Sequence, residues 1–135
     1  METATFTGLS FLRVLDLNSN QISSIDPATF TDLPSLAWLY LNSNQISSID
    51  PATFTDLISL QVLKLQGNKI NQIEEELFKG LNNLNEINLE SNKIIPFNKN
   101  ALFGLSRLNK VCLYDNSVSV TFPSMNGRYL IRIQI

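Results

Sequence analysis

The sequence predicts an α/β-class solenoid, a curved stack of coils with a parallel β-sheet on the concave face and turns or short 3-10 helices on the convex face. Three observations carry that expectation. Residues 17–33, LNSNQISSIDPATFTDL, recur letter for letter at 41–57, an offset of 24. Asparagine returns on the same offset as Asn20, Asn44, Asn68, Asn92 and Asn116. Three apolar columns keep step with it: Leu12, Leu36, Leu60, Leu84 and Leu108; Leu15, Leu39, Leu63, Ile87 and Val111; Leu17, Leu41, Leu65, Leu89 and Leu113. A fixed period of this size marks an architecture in which each unit buries its apolar side only against its neighbours.

The elements follow in order. Residues 1–11 overlay the back half of a repeat, with Phe6 and Leu9 in register with Phe30 and Leu33, so the N-terminal end is expected to be a weak seal. Five units then span 12–121. Each opens on a short strand, near 14–17 in the first, where Leu15 and Leu17 point inward and Val14 and Asp16 outward, as a period of two requires. Ile22, Ile25, Phe30 and Leu33 point inward on the return leg. That leg starts at Asp26-Pro27, a turn opener whose carboxylate can cap a single helical or 3-10 turn. Phe6, Phe30, Phe54 and Phe78 are expected to stack as a convex spine, with Leu102 in the same place in repeat four and no direction assigned to Phe103. The recurrent asparagine is expected to form an internal ladder that satisfies backbone groups where water does not reach. Residues 122–135 leave the register; Asn126-Gly127 signals a turn, and the alternation of Tyr129, Ile131, Ile133 and Ile135 with Leu130, Arg132 and Gln134 predicts a strand that caps the stack.

The pattern LxxLxLxxNxIxxIxxxxFxxL, carried by Leu12, Leu15, Leu17, Asn20, Ile22, Ile25, Phe30 and Leu33 and repeated from Leu36, Leu60, Leu84 and Leu108, resembles the leucine-rich repeat family. The repeat length and the return-leg phenylalanine are similar to the extracellular animal type found in Toll-like receptor ectodomains and variable lymphocyte receptors. That resemblance implies secretion or extracellular display, rather than a cytoplasmic setting, and recognition of microbial surface molecules or protein ligands on the concave face. Those proteins close their ends with cysteine-rich caps. Here Cys112 stands alone inside a strand, which points to a protein made of leucine-rich repeats only.

Residues that flank the inward leucines face the concave surface. One row holds Val14, Trp38, Val62, Glu86 and Lys110; the next Asp16, Tyr40, Lys64, Asn88 and Cys112; the third Asn18, Asn42, Gln66, Glu90 and Tyr114. Trp38, the only tryptophan, beside Tyr40 and near Lys64 reads as an interaction hot spot, against the plainer reading of a chance exposed aromatic. The expected ligand-binding set is Asp16, Trp38, Tyr40, Val62, Lys64, Gln66, Glu86, Asn88, Lys110 and Tyr114. The mixture of Glu86 and Glu90 with Lys64 and Lys110 is in the plainer view a solubility feature. Cys112 faces outward by pattern but is expected to be buried against the C-terminal strand. Glu74-Glu75-Glu76 reads as a solvated acidic turn.

Composition narrows the function. The chain has 135 residues, 44% hydrophobic and 16% charged, with a net charge of −2 and a pI near 5.0. No basic cluster stands out, so nucleic acid and anionic membrane are not expected partners. No stretch has the length a bilayer needs, and no signal peptide is recognised at the N-terminus. With one cysteine there is no intrachain disulfide. With no histidine the usual general base and commonest metal ligand are missing, so neither enzymatic activity, nor a metal, nor a cofactor is expected. The leading expectation is a non-enzymatic recognition module of innate immunity. The alternatives are a protein–protein scaffold domain, intracellular in setting, and an engineered or truncated repeat fragment of a larger receptor. A homodimer, formed through the N-terminal end (Phe6, Leu9, Leu12) or through the Trp38–Tyr40 patch, is a separate expectation.

Overall fold

In a computed structural model, residues 5–116 are described in full and the backbone of Arg132–Gln134 completes the sheet. Among the described residues, six strands of three residues run parallel, in sequence order: β1 (Val14–Asp16), β2 (Trp38–Tyr40), β3 (Val62–Lys64), β4 (Glu86–Asn88), β5 (Lys110–Cys112) and β6 (Arg132–Gln134). Parallel neighbours need a crossover of about a dozen residues or more, and each return leg supplies it. The register is the repeat itself: Val14, Trp38, Val62, Glu86 and Lys110 lie side by side across β1 to β5. β6 pairs with β5 as Lys110↔Arg132, Val111↔Ile133 and Cys112↔Gln134, an offset of 22. Within the segment expected to cap the stack, Arg132–Gln134 pair with β5, and Ile133 holds the register position beside Val111. The Asn126-Gly127 turn, Tyr129 and the rest of the segment before Arg132 lie outside the described residues, as do residues 1–4.

The core is a column of inward side chains. Leu36, Leu39, Leu41, Leu60, Leu63, Leu65, Leu84, Ile87 and Leu89 are fully buried. Their counterparts in repeat one, Leu12, Leu15, Leu17 and Ile22, are only half-buried, because among the described residues that coil has a neighbour on one side only. Phe11, beside them, is 90% exposed. The phenylalanine spine forms as the period requires: Phe6 stacks on Phe30 at 6.2 Å between centroids and Phe30 on Phe54 at 6.3 Å, within the favourable range for rings. Phe78 and Leu102 hold the same place in the next two repeats and are buried, whereas Phe103 is exposed.

Among the described residues the return legs are mostly turns rather than helices, and only Lys99–Leu102 forms a 3-10 helix. Asp26 and Asp50 each accept a hydrogen bond from the backbone N–H two residues on, at 2.8 Å, and Asn98 does the same at 3.0 Å. The turn after each strand has a feature the letters do not announce. Ser19, Ser43, Gly67, Ser91 and Asp115, one per repeat, all have positive φ, between 51° and 69°. This left-handed residue swings the chain out of the strand so that the following asparagine enters the coil; only Gly67 adopts it without a steric cost.

The asparagine ladder is built in that corner. Asn68 Oδ1 accepts from Ile46 N at 3.0 Å, and its Nδ2 donates to Leu41 O at 3.0 Å and Leu65 O at 2.9 Å. Asn44 and Asn92 repeat the arrangement, and Asn116 extends it to Leu89 and Leu113. The expectation of a dry site needs one correction. Asn20 is exposed and bonds only carbonyls of its own turn, Leu17 and Asn18, because no described coil lies beneath it.

Candidate functional site

The sheet brings the expected concave residues together as rows. Trp38 is 44% exposed on β2, flanked in register by Val14, also exposed, and by half-buried Val62. Neighbouring strands lie about 4.8 Å apart, so the three form a continuous apolar strip. Tyr40, half-buried, lies on the same strand two residues on, beside Asp16 and Lys64 in the second row. Asp16 is exposed and its carboxylate is engaged by Asn18, including a backbone bond of 3.0 Å. Gln66 is half-buried, and its Oε1 has no hydrogen-bond partner. Tyr114 is exposed at the end of β5, three strands from Tyr40, so the two tyrosines do not form one patch.

Next to the apolar strip the first row becomes ionic in a single step. Glu86 Oε1 is bonded by Lys64 Nζ and lies 3.3 Å from Lys110 Nζ. Burial pushes the Glu86 carboxyl up, but the two ammonium groups outweigh it and leave the carboxyl below its ordinary value. Its bond to Glu86 raises Lys110 in turn. A depressed carboxylate contributes stability above its unfolded value, and that contribution is lost as pH falls through the folded value. Glu86→Gln is therefore expected to cost about 1 kcal/mol or less near neutral pH, the scale of partly exposed ion pairs. It should also flatten the loss of stability on acidification. Chemical denaturation of both proteins from pH 7 to pH 3 checks this, and a constant difference between them across that range would refute it.

One residue of the second row differs from expectation. Asn88 was expected on the exposed ligand surface but is only 8% exposed; its Oδ1 turns back to accept Glu90 N at 2.9 Å, so a short side chain sits below its longer neighbours. Cys112 is 1% exposed, in keeping with the expected burial, and desolvation pushes its thiol up, which favours the protonated form over the nucleophilic thiolate. Sequence spacing also missed Arg132. It occupies the first-row position beside Lys110, but at an offset of 22 it lies off the 24-residue period; only the pairing of β6 reveals it.

Elsewhere, a groove of about 260 Å³ on the return legs of repeats three and four is lined by Glu75, Glu76, Lys79 and Phe103 among others, away from every expected site residue. Glu76 pairs with Lys79 at 2.7 Å and Glu74 accepts from Gln72, as a solvated acidic turn would. Among the described residues, no group of three or more acidic or cysteine side chains is placed to hold a metal, and no helix is long and apolar enough to cross a membrane.

A sheet of this kind, with a buried face inward and a periodic row of variable side chains outward, defines a repeat scaffold for binding. The leucine rich repeat family model matches residues 1–46, 39–94 and 59–118, and the chain belongs to that family. Among solved structures it is similar to TLR13 in complex with ssRNA13, at 30% identity and a TM-score of 0.84, over 89% of this chain and 17% of that one. It is also similar to the leucine-rich repeat protein LIC12759 of Leptospira interrogans, at 29% identity and a TM-score of 0.74, over 82% of this chain and 27% of that one. The chain thus spans about a sixth and about a quarter of these two structures. No curated protein matches.

Proposed function

We propose that the protein is a non-enzymatic recognition module that binds a microbial surface ligand across its concave face, in an innate-immune role outside the cell. The observation that carries this reading is Trp38, half-exposed between Val14 and Val62 on a strand whose inward residue, Leu39, is fully buried. A large aromatic held on a rigid strand with apolar flanks and a polar surround is the composition of an interface hot spot. Membership of a family whose members bind protein and other ligands supports the coarse reading, and the likeness to TLR13 supports the immune one.

That TLR13 structure contains RNA, which bears against excluding nucleic acid on composition alone. On this chain, Asp16, Glu86 and Glu90 lie among Lys64 and Lys110 on the face between β1 and β5. Such a mixed surface gives little of the phosphate neutralisation that drives nucleic-acid affinity, so a different ligand fits it better.

The test is capture of the purified protein by whole bacteria and by isolated wall components, beside Trp38→Ala/Tyr40→Ala, with folding of both checked by circular dichroism. Loss of a hot-spot aromatic typically costs about 2 kcal/mol or more, so the double variant is expected to bind at least 30-fold more weakly. Equal binding by both proteins would move the site off the concave aromatics. No binding by either would remove the microbial reading.

A further inference from the structure

The polar groups of the concave face fall into two sets. Around Glu86 they are committed to one another: Lys64 and Lys110 meet its carboxylate, and Asn88 turns back on Glu90 N. On the first coil Asn18 engages the Asp16 carboxylate. Along β2 the side chains are left over. Tyr40 and Asn42 make their hydrogen bonds through the backbone, their carbonyls accepting from Leu17 N at 2.8 Å and Ser19 N at 3.0 Å. Gln66 lies beside them on the next coil, where its carbonyl accepts from Ser43 N, and its side-chain Oε1 is buried with no donor. Resting on the concave reading above, we propose that the bound element is a neutral, β-linked oligosaccharide of a microbial wall. It lies along β2 with one ring on Trp38 and hydroxyls at Tyr40, Asn42 and Gln66.

Charge and chemistry argue for this occupant. Lys64 and Lys110 cancel Glu86 and Glu90, so the ions of the face offer no net pull on a charged ligand. A phenol and two carboxamides donate and accept hydrogen bonds without charge, and sugar hydroxyls match them in kind. An acceptor closed off from water without a donor costs free energy, and a ligand hydroxyl at Gln66 Oε1 removes that cost. Trp38 supplies the apolar half. Its ring face is electron-rich and suits the C–H face of a pyranose, while Val14 and Val62 widen the shelf on both sides.

Trp38, Tyr40 and Asn42 follow one another at steps of about 6.6 Å, two residues at roughly 3.3 Å each. A straight β-linked ribbon keeps to such a line, whereas a coiled α-linked chain leaves it. A protein partner needs more surface. A standard interface buries about 800 Å² per partner around an apolar core. The apolar strip here is three side chains wide and bounded by Asp16, Lys64 and Glu86.

Trp38 is the only tryptophan, so its fluorescence reports occupancy directly. The probes are cellotriose and triacetylchitotriose, both neutral and β-linked, with maltotriose as the α-linked control. At least one β-linked trisaccharide is expected to perturb Trp38 emission with fivefold or higher affinity over maltotriose. Raising salt from about 0.1 M to about 1 M shortens the screening length from about 10 Å to about 3 Å, and should leave that affinity within twofold. Asn42→Ala/Gln66→Ala, checked for folding by circular dichroism, should bind at least tenfold more weakly, the scale of two lost hydrogen bonds.

No response to either β-linked trisaccharide at millimolar concentration, equal affinity for maltotriose, or binding that high salt abolishes overturns the proposal. So does a folded Asn42→Ala/Gln66→Ala variant that binds as the parent protein does. Bacterial capture that depends on Trp38 and Tyr40, without any trisaccharide response, would keep the concave site and overturn its glycan occupant in favour of a protein.

Discussion

Phe54→Ala is expected to destabilise the protein by about 3–5 kcal/mol, the range for a buried phenylalanine cut back to alanine. Phe54 is fully buried and stacks on Phe30, so the truncation removes both transfer free energy and ring contact and leaves a cavity between coils that strand pairing holds in place. Phe6→Ala offers the contrast. Phe6 is half-buried and stacks on Phe30 alone among the aromatic pairs, so its loss should cost roughly half as much. Phe54→Leu should cost less than either, about 1–1.5 kcal/mol, because Leu102 fills the same place in repeat four and volume-conserving swaps are tolerated. Urea denaturation followed by circular dichroism and Trp38 fluorescence together measures all three. Equal midpoints for Phe54→Ala and Phe6→Ala would refute the idea that the spine is strongest inside the stack.

Asn68→Ala is the second large effect, at about 3 kcal/mol. Its two carbonyl partners keep another donor each, Leu41 O from Asn44 and Leu65 O from Asn92. Ile46 N loses its acceptor outright inside the core. One orphaned buried N–H costs about 1–3 kcal/mol, and the two lost bonds to carbonyls add about 1 kcal/mol together or somewhat more. Asn20→Ala removes bonds to exposed groups that water can replace, so it should cost about 1 kcal/mol or less. The same denaturation series decides the matter: a similar loss at both positions would mean that the residue acts through its local turn and not through the ladder between coils.

The residues that repeat were legible because they answer a local demand that recurs every 24 positions. An inward leucine at the strand, a phenylalanine on the return leg and an asparagine at the corner each face the same environment in every coil, so their spacing reveals their place. Trp38, Val62, Lys64, Glu86 and Lys110 could be put on the outer face by the same alternation. Their relations could not. That Lys64 and Lys110 share one oxygen of Glu86 depends on side-chain reach across strands, and periodicity carries no information on that. The burial of Asn88 is likewise a matter of its shortness among longer neighbours. The left-handed corner escaped notice because serine or aspartate occupies it in four of five repeats, where glycine would have signalled it.

By itself the sequence determined the solenoid, its period, the division into inward and outward columns and the identity of the ladder, since all of these follow from burial repeated at fixed spacing. Only the tertiary structure decided how strongly each column is sealed. Leu12, Leu15, Leu17 and Asn20 carry the same letters as their buried counterparts yet are half-buried or exposed, because burial in a stack belongs to the pair of neighbouring coils and not to the residue. It also decided that Arg132 holds the register position beside Lys110, since hydrogen-bonded strand pairing, and not the count of residues between strands, sets register.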